Sequence, residues 1–168
     1  MRIALFVDGA NMFYAQRNIG WHIDFKKVKG YFMQGQEDAG CYYFTATPPA
    51  HEPEKVKSYR GFKNALINIG YEVIDKEVKI IQDKVTGVTK MKGNLDIDIV
   101  FRMLVSMNTY DRAIMMGGDS DFIPIISHLK NCGKEVMCVG CKNTVSTEIR
   151  NTAKFVDLED IRGMIEKE

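Results

Sequence analysis

Met115-Met116-Gly117-Gly118-Asp119-Ser120-Asp121-Phe122 decides how the rest of the chain is read. The apolar run at residues 113–116 passes through two glycines and two aspartates, one serine apart, into a second apolar segment at 122–129. A buried strand, a sharp turn and a helix give that pattern. In an open parallel sheet such a turn lies at the carboxyl edge of the strands, where α/β proteins place their ligands. Two acids with no bulky neighbour there suit a cation. Taken alone, the stretch has a plainer explanation as well, because Asp is a common helix cap.

A second acidic strand end stands at the start of the chain, where IALFV at residues 3–7 runs into Asp8-Gly9-Ala10-Asn11. An unbroken apolar run reads as a strand buried on both faces, and a carboxylate directly after it has no packing role. Asn11 either caps the short helix expected over residues 12–16 or orients Asp8 by a hydrogen bond, capping being the commoner use.

The 168 residues suffice for one well-filled core and fall short of two, so a single domain over 1–168 is expected. With 45% hydrophobic and 27% charged residues the chain reads as soluble and globular. Its net charge of +1 creates no global basic field, so a nucleic acid has to be held by a local patch. No apolar run approaches the ~20 residues of a membrane helix, and residues 1–7 are too short for a signal peptide, so a cytoplasmic chain is expected. Of the cysteines, Cys138 and Cys141 have a C-x-x-C spacing, but Cys41 and Cys132 do not supply the second close pair of a structural zinc site. Cys138 lies in an apolar run and reads as a core thiol.

Between the two acidic strand ends the chain alternates. Residues 24–33 read as a helix capped by Asp24, 41–47 as the second strand, and 54–69 as a helix that Gly70 ends. A third short strand is expected at 71–74, then a hairpin or flap over 75–91 with Thr86-Gly87 at its turn. Residues 51–92 carry nine Lys or Arg against six acids and form the locally basic part. Within it Lys84, Lys90 and Lys92, with Arg60 and Lys63 on the preceding helix, are the candidates for phosphate contact.

Lys92-Gly93-Asn94-Leu95-Asp96-Ile97-Asp98 then opens an apolar helix to about residue 107, with Asn94 as its cap and Asp96 in the first turn, where the helix dipole favours an acid. Asp96 and Asp98 point about 200° apart on a helix, so they do not serve one metal equally. Asp98 stands four residues before Arg102, a favourable pairing order, which leaves Asp96 as the site candidate. For Asp119 and Asp121, a cap at Asp121 makes Pro124 the third helical residue, where proline is tolerated. Strands at 111–117, 135–139 and 155–158 and helices at 122–131, 146–152 and 159–166 complete the chain. Strands alternating with helices imply a mostly parallel sheet in a three-layer α/β/α sandwich.

Asp8, Asp96 and the Asp119–Asp121 pair thus converge on one sheet edge from distant parts of the sequence. Close carboxylates repel unless one is protonated or a cation neutralises them. An all-oxygen set suits Mg²⁺ or Mn²⁺, which can polarise a phosphate and activate water for attack on a phosphodiester. An aspartyl-nucleophile phosphatase wants a second Asp two residues after the first, where this chain has Ala10. A receiver domain wants its acceptor Asp on the third strand, and a dinucleotide enzyme wants Gly-x-Gly-x-x-Gly after the first; neither is present.

Phe6-Val7-Asp8-Gly9-Ala10-Asn11, the Lys92-to-Asp98 motif and Gly118-Asp119-Ser120-Asp121-Phe122 resemble the motif series of NYN domains, in the LabA-like (DUF88) branch of the PIN-like nucleases, in order, spacing and nearly the whole length. The resemblance implies a PIN-like sandwich and a Mg²⁺- or Mn²⁺-dependent ribonuclease. Its acids correspond to Asp8, Asp96, Asp119 and Asp121, with Asp8, Asp96 and Asp119 as the metal ligands and Asn11 and Ser120 in support. RNA, single-stranded or structured, is the implied partner, and a homodimer is left open. One departure is Arg102, which stands where many relatives carry a further Asp. Because some relatives are regulators without a defined substrate, a non-catalytic RNA- or protein-binding module on the same fold is the alternative reading.

Overall fold

The computed structural model describes residues 1–77, 79–82, 89–92 and 95–168, with the backbone alone at 79–82 and 89–92. Its first strand, β1 (Arg2–Asp8), explains the uninterrupted apolar run: Ile3, Leu5 and Val7 enter one hydrophobic core and Ala4 and Phe6 enter another on the opposite face. A strand buried on both faces needs helices on both. On the first face lie α1 (Gly9–Ile19), α2 (Phe25–Met33) and, after β2 (Glu37–Thr47), α3 (Pro53–Asn68). β3 (Glu72–Glu77) follows, then β4 (Lys79–Gln82) and β5 (Thr89–Lys92), which pair antiparallel as a separate ribbon.

The second face is covered by α4 (Asp96–Val105) and, after β6 (Arg112–Met116), by α5 (Ile123–Asn131); β7 (Glu135–Gly140) leads to α6 (Thr147–Thr152) on the same side. β8 (Lys154–Asp157) and a 3-10 turn at Glu159–Ile161 lead to α7 (Arg162–Ile165), which returns to the first face, where the Asp24 N–H donates to the Ile165 carbonyl at 2.8 Å. The sheet has six parallel strands in the order β3-β2-β1-β6-β7-β8. The helices that follow the adjacent strands β1 and β6 lie on opposite faces. Their divergence opens a crevice at the carboxyl ends of those two strands, the switch point of the topology. The chain is an α/β sandwich, as its alternation indicates.

Several boundaries differ from the sequence reading. α1 starts at Gly9 and outruns the expected 12–16, because Asp8 is its cap: the Asp8 Oδ1 accepts the Asn11 N–H at 3.0 Å, so Asn11 contributes its backbone to the cap rather than its side chain. β3 continues to Glu77. α4 starts at Asp96 with Leu95 in the cap position, and the expected cap Asn94 lies outside the described residues, as does the Thr86-Gly87 turn.

Two glycines fit the β6 turn closely against its neighbours. A Cβ at Gly118 would stand 2.5 Å from Val145 Cγ2, and one at Gly140 2.6 Å from the same atom. Val145 therefore occupies space that only hydrogen leaves open. The Ser146 N–H donates to the Gly118 carbonyl at 3.2 Å and fixes the turn that carries Asp119. The buried Cys41 and Cys138 thiols are pushed up to about 12 by burial, so both are protonated core groups at neutral pH.

Candidate metal-binding acid cluster

Asp8 closes β1 in a half-buried position. Loss of solvent raises its carboxyl from an ordinary 3.8 to about 6, and the negative charges of Asp96 and Asp119 push the same way against the backbone N–H groups of Asn11 and Ala10. A carboxyl with so raised a proton affinity at a strand end is a candidate functional group.

Across the crevice, Asp119 follows Gly117-Gly118 in extended conformation, and its Oδ1 accepts the Asp121 N–H at 3.0 Å. Asp119, not Asp121, is thus the capping residue. The helix enters through a 3-10 turn at Ser120–Phe122, and Pro124 falls in the first turn of α5, where no N–H is needed. Asp121 is left exposed and without capping work, beside the exposed Ser120.

α4 brings in the third segment. Asp96, Asp119 and Asp121 each present a carboxylate oxygen, all within 4.8 Å of one another. The donor set is oxygen only, which fits a hard divalent cation and not a sulfur- or nitrogen-seeking one; such ions hold oxygens at about 2.0–2.6 Å. Three carboxylates this close, with Asp8 beside them, also leave a surplus of negative charge that a cation would relieve.

Asp98 is not among these three and forms an ion pair with Lys76 on β3. The expected helical pair with Arg102 is not made. Arg102 bonds instead to Glu72 at 2.5 Å, with its guanidinium 5.0 Å from the Tyr42 ring centroid. Both side chains turn to the β3 edge because it offers one partner of each sign. Lys76 was not legible as that partner, since nothing in the local sequence brings β3 to α4. Asp98→Asn should therefore leave turnover within about twofold of wild type and cost no more than about 1 kcal/mol of stability, the scale of a partly exposed pair. Asp96→Asn should lower turnover far more; equal losses in side-by-side assays would contradict the division of labour.

The basic candidates are less gathered. Lys63 is held by Asp75 at 2.5 Å, and Arg60 lines a separate cleft of about 520 Å³ with Tyr59 and Lys63. Lys84 lies outside the described residues, and Lys90 and Lys92 are described only as β5 backbone, opposite Ile81 and Lys79. The sequence reading also passed over Phe13 and Tyr14, which α1 leaves 55% and 63% exposed directly after the first acid motif. The signal was available: an aromatic pair on the polar side of an otherwise amphipathic helix.

The model of the NYN domain family matches residues 2–159. The chain belongs to the NYN domain family. It is 35% identical to the Low amplitude and bright protein LabA of Synechococcus elongatus, over 99% of this chain and 88% of that protein. The crystal structure of a Vibrio parahaemolyticus protein of unknown function has the same fold, with a TM-score of 0.78 and 22% identity over 98% of this chain and 95% of its own. The acid cluster of this NYN chain thus sits on a nuclease-type fold. Among its described residues no helix is long and apolar enough to cross a membrane.

Proposed function

We propose that the chain is a metal-dependent ribonuclease acting as one domain over residues 1–168, with Asp8, Asp96, Asp119 and Asp121 forming its centre. The observation that carries this reading is the approach of Asp96, Asp119 and Asp121 oxygens to within 4.8 Å at the switch-point crevice, beside Asp8. Mg²⁺ or Mn²⁺ held there supplies the charge that polarises a phosphodiester and makes water a stronger nucleophile near neutral pH. Asp96, Asp119 and Asp121 would hold the ion. Asp8 stands next to them with a raised proton affinity, which suits it to orient a water and accept its proton. The Asn11 N–H fixes the Asp8 carboxylate, and Gly117 lets the β6 turn pass close to it, where a Cβ would stand 3.4 Å from Asp8 Cβ.

Cleavage of a labelled single-stranded RNA with Mn²⁺ or Mg²⁺, lost on chelation and restored by excess metal, is the expected result. Retention of the RNA without cleavage under every metal condition would refute catalysis and leave a binding module on the same fold.

A further inference from the structure

On the α1 side of β1 and β2 a cleft of about 620 Å³ opens, lined by Gly9, Phe13, Tyr14, Tyr43, Phe62 and Lys167 among others. Its size is that of a small-molecule site. Gly9 directly follows Asp8, so the cleft adjoins the acid cluster. The Tyr43 ring fills the space beside Gly9, where a Cβ would come within 2.8 Å of Tyr43 Cε1. Tyr43 is buried, yet no hydrogen bond among the described residues engages its hydroxyl. The rings stand at steep angles to each other, 79° for Phe13 and Tyr14 and 75° for Tyr43 and Phe62, so flat faces are presented in several directions.

The charged side chain that lines the cleft is basic, Lys167, and the Arg17 guanidinium lies 5.9 Å from the Phe13 ring centroid, while the Asp8 carboxylate stands outside the lining and acts on Tyr43 from the acid cluster. An apolar peptide would use the rings and have no need of the cations. A base with its phosphates uses both, because aromatic rings stack any nucleobase while basic groups follow the backbone.

We propose that this cleft receives an unpaired nucleobase of the RNA strand whose phosphate lies at the acid cluster, and so restricts the chain to single-stranded substrate. The proposal rests on RNA being the substrate. A base inside a duplex is already stacked and paired, and it enters such a cleft only after extrusion from the helix.

The test uses a single-stranded RNA containing 2-aminopurine, titrated in chelator so that binding is read apart from cleavage. Wild-type protein should bind it and quench its fluorescence by stacking, and the same strand in a duplex should compete poorly. Phe13→Ala and Tyr14→Ala should each weaken binding about tenfold, equivalent to about 1.4 kcal/mol, and remove the quench. Phe101→Ala, at an exposed α4 ring on the opposite face, should bind as wild type. Absence of binding, wild-type binding by both cleft variants, or a shift of those variants from dimer to monomer with binding unchanged would overturn the proposal. Ring-dependent binding with no cleavage once metal is added would sink the nuclease reading alone. Cleavage indifferent to the rings and to pairing would sink the base cleft alone.

Discussion

Asp119→Asn should reduce metal-dependent RNA cleavage at least about a hundredfold, the scale on which a centre loses a group that stabilises developing charge. Asparagine keeps the Oδ1 that accepts the Asp121 N–H at 3.0 Å, so the turn into α5 survives. What the variant loses is the negative charge and the second carboxylate oxygen, which would help to hold a cation. Asp119 is exposed and fills no core position, so unfolding should shift by less than about 1 kcal/mol. Turnover on labelled RNA and thermal unfolding, measured on the same preparation, separate the two effects. Full activity of this variant with Mn²⁺ would take Asp119 out of the centre.

Asp8→Asn should abolish cleavage and, in chelator, make the protein more stable at neutral pH than wild type. In wild type the folded Asp8 carboxyl sits at about 6 against an ordinary 3.8, so between those values the folded chain holds a proton that the unfolded chain has released. Stability from this group is therefore full below about pH 4, falls as the pH rises toward 6, and stays low above it. A shift of that size corresponds to on the order of 3 kcal/mol. Asparagine can still accept the Asn11 N–H and carries no charge to desolvate, so the variant should lack the fall. Metal should reverse the comparison by stabilising wild type more than the variant. Thermal unfolding in chelator from pH 4 to 7 checks the sign, and an equally steep decline in both proteins would mean that ionised Asp8 costs the fold nothing.

The sandwich was legible because burial on both faces leaves a direct mark: residues 3–7 contain no polar position, and the strands at 113–116 and 136–139 repeat the feature. The acids stood out for the complementary reason, as charges placed where packing has no use for them. Capping was harder to read. Asp8 and Asp119 each do capping and site duty at once, and the sequence offers the neighbours Asn11 and Asp121 as equally good caps. Asp98 shows a different limit. Its partner Lys76 comes from another element, and a tertiary pair of this kind overrides the helical Asp98–Arg102 spacing. The cleft beside Gly9 was hidden because its rings come from α1, β2 and α3, and only the fold assembles them.

β1 is clasped on one side by β2 and on the other by β6, with Ile3 opposite Arg112. A ribosome therefore has to deliver about 110 residues after Asp8 before Asp119 exists to face it. Until then one edge of β1 lacks its neighbour, and the carboxylates of the N-terminal and central segments belong to separate stretches of chain. The growing polypeptide thus carries no assembled acid cluster until Asp119 has been added.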